Sequence, residues 1–320
     1  MVSIPPSLRW AAVALLLLAT ASCSAGPGAA GPGSGSGTPA SPSASASVAA
    51  PLTAEISQFR DNYSRQIIEI QLTNTTGEPV TVLAAGLRSP LFASRISWTA
   101  AAAGTELPPH QTKSLPARLP AAACPDQAPE QSRAAEQSRA GQSSAAVEVL
   151  LASAAGAPGK TVTTVAADPF GVLARNNGEM CVAQAAAAIA DLRFGPALEL
   201  SPDARTAFLH LLITPRNSAT DPADRALTIN SVGGTTLLEE DPSAPWPSGL
   251  RIGATGPARE LRLGIRPARC DPHAVAEDKV GTLIPLHVSV AGREGVLKID
   301  AGAQLRGRIY DFVTSACGRQ

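Results

Sequence analysis

Ile68, Ile70 and Leu72 alternate with Glu69 and Gln71; Leu261, Leu263 and Ile265 alternate with Arg262 and Gly264; Leu286, Val288 and Val290 alternate with His287 and Ser289. A period of two puts successive side chains on opposite faces, so these segments read as half-buried strands and not as amphipathic helices, whose period is about 3.6. Breaks rich in turn formers separate them, among them Asn74-Thr75-Thr76-Gly77-Glu78-Pro79, Ala157-Pro158-Gly159, Gly233-Gly234 and Ala291-Gly292-Arg293. Short strands at this spacing predict an all-β chain of two tandem immunoglobulin-like β-sandwich domains. The run Ala185 to Ala188 is discounted as a helix signal, because alanine is abundant throughout the chain.

The N-terminus follows another pattern. Arg9 closes a short basic region, Trp10 to Ala21 is an unbroken run of apolar and small residues, and Thr20-Ala21-Ser22-Cys23 follows. This is the layout of an export signal, and the run is shorter than the roughly 20 apolar residues that span a bilayer. The small residues before Cys23 resemble the lipobox of bacterial lipoproteins, with Thr20 where that family usually has leucine. The resemblance implies cleavage before Cys23 and a lipid, diacylglyceryl and palmitate chains, on that residue. The alternative is a plain secretory signal cut nearby. Ser24 to Pro51 is almost wholly Ala, Gly, Pro and Ser without a charge. Such a composition buries no core and is expected to act as a disordered tether between lipid and domains.

Beyond the tether the chain repeats itself. Gln66 to Asn74 corresponds to Ala207 to Thr214; Leu115 to Pro120 before Cys124 corresponds to Leu263 to Pro267 before Cys270. Two strands then precede a second cysteine in each unit: Val147 to Leu151 and Thr161 to Val165 before Cys181, and Ile284 to Val290 and Gly295 to Ile299 before Cys317. The expected organisation is a signal peptide at 1–22, a lipidated tether at 23–51, and sandwich domains at 52–184 and 185–320. Four cysteines besides Cys23 in an exported chain are expected to pair, and the repeat selects Cys124 with Cys181 and Cys270 with Cys317. The longer first separation fits an insertion at Glu130 to Gln142, where Glu-Gln-Ser-Arg-Ala recurs. Loops of this length give each bridge about 4 kcal/mol by constraining the unfolded chain.

Composition narrows the function classes. Of 320 residues, 44% are hydrophobic and 16% charged, and 26 basic side chains balance 26 acidic ones, enough apolar mass for two cored domains. The basic residues are scattered, so no nucleic-acid partner is implied. Ala154 to Thr161 satisfies a relaxed phosphate-loop pattern, but the β-branched Thr161 to Val165 that follows is a strand where the mechanism needs a helix N-terminus. His110, His210, His273 and His287 form no zinc spacing, and neither a nucleophile elbow nor a C-x-x-C pair is present. No cofactor, metal or catalytic residue is therefore assigned. Glu239-Glu240-Asp241 reads as a solvated loop, since three adjacent side chains cannot all converge on one cation. The low aromatic content, 3%, argues against a carbohydrate platform, for which Trp98 and Trp246 would be the candidates.

The densest polar cluster runs from Cys270 through Asp271, His273, Glu277 and Asp278 to Lys279. It resembles a segment of exported proteins and lipoproteins of high-GC Gram-positive bacteria, a group with no assigned activity, so the resemblance implies location more than mechanism. Asp271, His273, Glu277 and Asp278 are the candidate ligand-binding residues; the competing reading is a disulfide-pinned loop in which Asp271 caps a turn. The sequence thus describes a lipid-anchored protein on the outer face of the cell membrane, a non-catalytic interaction module whose partner is an unknown surface protein or ligand. The alternatives are a small-ligand or metal-binding protein using the loop after Cys270, and an extracellular hydrolase.

Overall fold

In the computed structural model, residues 50–124, 145–153, 159–216 and 226–318 are described. The expected signal peptide, Cys23 and nearly all of the tether lie outside them, as does the Glu130 to Gln142 insertion. The chain is mostly strand, folded as β-sandwiches. The first lobe holds β1 (Leu52–Ser57), β2 (Ile67–Asn74), β3 (Val80–Arg88), β4 (Ile96–Thr99), β5 (Thr105–Leu107), β6 (Thr112–Arg118), β7 (Ala145–Leu151) and β8 (Lys160–Ala167). The second holds β9 (Ala190–Leu200), β10 (Ala207–Pro215), β11 (Ala226–Val232), β12 (Leu238–Glu240), β13 (Leu250–Gly253), β14 (Arg259–Pro267), β15 (Leu283–Val290) and β16 (Arg293–Asp300). Among the described residues three α-helices accompany the strands: α1 (Val172–Ile189), the short α2 (Pro272–Ala276) and α3 (Gly302–Cys317).

The alternation in the sequence becomes the two faces of each sheet. Ala145, Val147, Val149 and Leu151 of β7 point inward, as do Ala207, Leu209, Leu211 and Ile213 of β10, and their intervening neighbours face outward. The turn chemistry acts as its residues require. Asn74 is fully buried at the end of β2, where its Nδ2 donates to the Glu78 and Leu107 carbonyls while its Oδ1 accepts from the Thr76 backbone N–H. The β15–β16 hairpin closes through Ala291 (φ 49°) and Gly292 (φ 67°), a pair of left-handed residues that matches the twist of the flanking strands. Lys160 and Thr161, at the end of the phosphate-loop-like pattern, start β8, which pairs antiparallel with β7.

The two lobes share one plan. In the first, β6-β2-β1 and β3-β7-β8 are the hydrogen-bonded runs; in the second, β14-β10-β9 and β11-β15-β16 correspond to them strand for strand. One difference sets the lobes apart. β8 also pairs parallel with β1, Ala54 opposite Ala166 and Glu55 opposite Ala167, which joins the first lobe's strands into one continuous sheet. The second lobe keeps two four-stranded sheets.

Each plan ends in a helix that a disulfide ties to the segment after the proline-bearing strand. Cys124 is bonded to Cys181 in α1 with a Cα–Cα distance of 5.5 Å, and Cys270 to Cys317 at the end of α3 with 5.3 Å. These are the two pairs that the repeat selects. Both Asp168 oxygens cap α1, accepting from the N–H groups of Val172 (2.7 Å) and Leu173 (2.9 Å). The alanine run dismissed as a helix signal is helical after all: α1 continues through Ala185 to Ala188 and stops at Ile189. Its apolar residues lie on both sides because two cores need it. Leu173 belongs to the first lobe's core, and Val182, Ala186 and Ile189 to the second's. The boundary expected at 184/185 falls inside this helix. α3 buries Leu305, Ile309, Phe312, Val313 and Ala316 along one stripe against the second core.

Replacing Cys124 and Cys181 together by serine is expected to lower unfolding stability by about 2–4 kcal/mol, read as a lower urea midpoint; an unchanged midpoint would mean that the bridge does not hold α1 in place.

Candidate functional site

The loop after Cys270 separates its residues into two jobs. Asp271 caps α2 by accepting the His273 backbone N–H at 2.9 Å, and Pro272 sits at the first helical position, where a missing N–H costs nothing. His273 and Glu277 are exposed. Asp278 turns inward: its Oδ1 accepts the Thr236 hydroxyl (2.5 Å), and its Oδ2 accepts the Tyr310 hydroxyl (2.9 Å) and the Gly281 N–H (2.8 Å). Burial and the Asp278 bond push the Tyr310 hydroxyl up to about 12. Asp278 thus clasps the loop to the segment before β12 and to α3. Among the described residues no group of three or more His, Cys, Asp or Glu side chains converges as a metal site.

The acidic run is not a solvated loop. Glu239 and Glu240 lie in β12, where alternation aims them apart: Glu239 pairs with Arg266 at 2.7 Å, and Glu240 accepts the Trp246 backbone N–H at 2.5 Å. Asp241 is buried and accepts from the Ser243 N–H (2.8 Å), the Ser243 hydroxyl (2.6 Å) and the Thr206 hydroxyl. These donors, Ser243 first, hold its carboxyl below the usual aspartate value. The Trp246 indole N–H donates to the Gly264 carbonyl at 2.7 Å, which fixes that ring on β14, and Trp98 packs half-buried against the first core.

Sequence reasoning missed a cross-strand ladder on the outer face of β9, β10 and β14. His210 stands between Glu260 (Nδ1 to Oε1, 2.6 Å) and Glu199 (Nε2 to Oε2, 3.4 Å). The Arg262 guanidinium grips both Glu199 oxygens at 2.6 and 3.1 Å and lies 3.2 Å from the centre of the Phe208 ring. That grip holds the Glu199 carboxyl below its ordinary value. The signal lay in the outward positions of paired strands, which become neighbours only once register is known.

A groove of about 240 Å³ lies where the lobes meet. α1 supplies its floor with Glu179, Met180 and Ala183, β16 one wall with Lys298, and the segment 58–66 the other with Tyr63 and Gln66. Lys298 donates to Glu179 at 2.6 Å and lies 5.2 Å from the Tyr63 ring centre, with Arg175 at 5.1 Å from the same ring. The 58–66 wall is fastened twice. Gln58 Oε1 accepts from Arg175 (2.6 Å) and Asn176 (3.0 Å), and the Asn62 amide donates to Glu69 at 2.9 Å. Glu69 is 2% exposed. Burial pushes its carboxyl above the ordinary 4.5, Asn62's hydrogen bond opposing and Asp61 adding to the rise. An aromatic ring, an ion pair and a small-residue floor can seat a side chain or a small molecule; the groove brings together none of the residues singled out after Cys270.

No family model matches the chain, and no curated protein matches its sequence. Among solved structures the chain is similar to red sea bream transglutaminase (10% identity over 79% of this chain and 31% of that one, TM-score 0.20). It is likewise similar to the YadV chaperone (11%, 74% and 93%, TM-score 0.19) and to exo-chitosanase CsxA of Amycolatopsis orientalis (11%, 78% and 26%, TM-score 0.18). The chain thus spans about a third of the transglutaminase.

Asp278→Ala is expected to cost about 2–3 kcal/mol, because it strips partners from Tyr310, Thr236 and the Gly281 N–H, whereas His273→Ala and Glu277→Ala stay within about 0.5 kcal/mol; equal losses in all three would make the exposed pair part of the clasp.

Glu69 gives a pH signature. Its raised folded value means that the folded state keeps the proton longer than the unfolded one, so its contribution is fully present below about 4.5 and is lost as pH rises through the folded value. Glu69→Gln is therefore expected to match the parent in acid and to melt higher at neutral pH; melting curves from pH 4 to 8 that stay parallel would contradict this.

Proposed function

We propose that the chain is exported, tethered by a lipid on Cys23 to the outer face of the cell membrane, and works there as a non-catalytic interaction module built from two immunoglobulin-like lobes. The observation that carries this reading is the disulfide pattern. Four of the five cysteines close two bridges, one ending on each lobe's final helix. Such bridges persist in oxidising compartments and are rare in the cytosol. The remaining cysteine is Cys23, directly after the small residues Ala21 and Ser22 and the apolar run before them.

The alternative, a ligand or metal site after Cys270, loses support from the geometry. Asp271 is engaged as a helix cap and Asp278 as a clasp, which leaves His273 and Glu277 without the converging oxygens that a hard cation needs.

Expressed in a bacterial host that processes lipoproteins, the Cys23→Ala chain is expected to appear in the medium or to stall as precursor, while the parent fractionates with membranes and incorporates labelled palmitate. Mature Cys23→Ala protein that stays membrane-bound would overturn the lipid assignment.

A further inference from the structure

We propose that the turn at 60–63 is a pH-gated flap on the groove between the lobes, closed over Glu69 in acid and lifted once that carboxyl ionises. Both ends of the flap are pinned. At one end, Gln58 Oε1 accepts from Arg175 and Asn176 of α1, and Gln58 Nε2 donates to the Ile67 carbonyl at 3.1 Å. At the other, the Gln66 carbonyl accepts the Leu119 N–H at 2.9 Å, and Gln66 itself is a left-handed residue (φ 52°) just before β2. Between these pins the backbone bonds are local: Asn62 N–H to the Phe59 carbonyl (3.0 Å), Tyr63 N–H to that of Arg60 (3.3 Å) and Gln66 N–H to that of Tyr63 (3.3 Å). The bond from Asn62 Nδ2 to Glu69 Oε1, 2.9 Å, ties the middle of the turn to the sheet. Phe59, Arg60, Asp61, Ser64 and Arg65 are exposed. A short, locally bonded segment between fixed ends is the kind of element that opens without unfolding its domain.

What lies under the turn makes its closure depend on charge. Alternation puts Glu69 on the outward face of β2, yet it is buried there beside Asn62. The flanking strands offer a carboxylate little. Opposite Glu69 on β1 is Ser57, whose buried hydroxyl has no partner, and opposite on β6 is Pro116, which has no N–H. The surrounding charges do not compensate. Asp61 in the turn and Glu55, two residues along β1 from Ser57, are acidic. Arg60 and Arg65 in the turn, Arg118 on β6 and Arg175 on α1 are basic, but among the described residues no ion pair joins any of them to Glu69, and Arg175 is bonded to Gln58. Burial acts most strongly on the Glu69 carboxyl and raises it, Asn62's hydrogen bond opposes this, and Asp61 adds to the rise. The closed turn is therefore fully favoured below about 4.5 and loses that advantage as pH rises through the closed-state value, because lifting the turn returns the carboxylate to water. Lifting also takes the Tyr63 ring away from Arg175 and Lys298, now 5.1 and 5.2 Å from its centre. One wall of the groove goes with it, and the floor of Glu179, Met180 and Ala183 is uncovered from that side. The flap governs access to the groove and is independent of any lipid on Cys23.

The test is hydrogen exchange read by mass spectrometry on the full chain with both disulfides intact, from pH 4 to 8. Each rate is divided by the intrinsic rate of the same peptide at that pH, so that it reports an opening equilibrium. The peptide covering 59–66 is expected to be less protected than that of β10 throughout and to lose protection as pH rises. Glu69→Gln, which still offers Asn62 a carbonyl acceptor but carries no charge, is expected to abolish that loss. Asp61→Asn, at an exposed position, is expected to reduce it by removing the like charge. The proposal is overturned if 59–66 keeps the same protection at every pH, or if Glu69→Gln loses protection as its parent does. It is equally overturned if 59–66 is only as accessible as β10, since the turn would then open only with the whole domain. Should Glu69→Gln fail to fold, Asp61→Asn decides: an undiminished loss of protection in that variant rejects the flap.

Discussion

α1 is packed into two hydrophobic cores at once, and most of the architecture follows from keeping it there. A helix at the surface of one domain needs a single apolar stripe. One lodged between two sandwiches must be apolar on opposite sides and narrow enough to let both approach. Leu173 serves the first core, and Val182, Ala186 and Ile189 the second; the alanines between keep the helix slim. Three covalent or charged restraints then hold its position: the Asp168 cap at the start, the Cys124–Cys181 bridge in the middle, and the Glu179–Lys298 pair against β16. The groove at the junction exists because these restraints set how close Tyr63 and Lys298 come.

The strands were legible because their alternation is a local property, and the duplicated pattern around the cysteines gave a register between the lobes that single strands could not. The helices were legible only in part. Leu305, Ile309, Phe312, Val313 and Ala316 already carry the spacing of one helical face, a signal that reading the segment for strands and a cysteine passed over. The Ala185–Ala188 run is different in kind. Alanine is a strong helix former, but in an alanine-rich chain that propensity singles out no one run, and what places the helix here is its packing between two lobes, a tertiary fact.

The polar residues show the same division. Asp271 as the cap of a turn was one of two readings of the loop, and the cap it makes is on α2. Asp278 as a clasp was not readable, because Thr236 and Tyr310 come from distant segments. Adjacent Glu239, Glu240 and Asp241 looked alike in sequence, yet β12 sends Glu239 and Glu240 to opposite sides with separate partners, and Asp241, just beyond the strand, is held by Ser243 and Thr206. The Glu199–His210–Glu260–Arg262 ladder depends wholly on cross-strand register, which places Arg262 opposite His210.

The parallel pairing of β1 with β8 also has a mechanical meaning. β1 is the first strand among the described residues, and it is bonded along one edge to β2 and along the other to β8. A tug on the chain before Leu52, directed along the strand, loads both rows of bonds in shear, so they must yield together and not open one after another as in a peeled hairpin. β1 is therefore built to bear tension, and a load passed along it spreads across the whole first lobe.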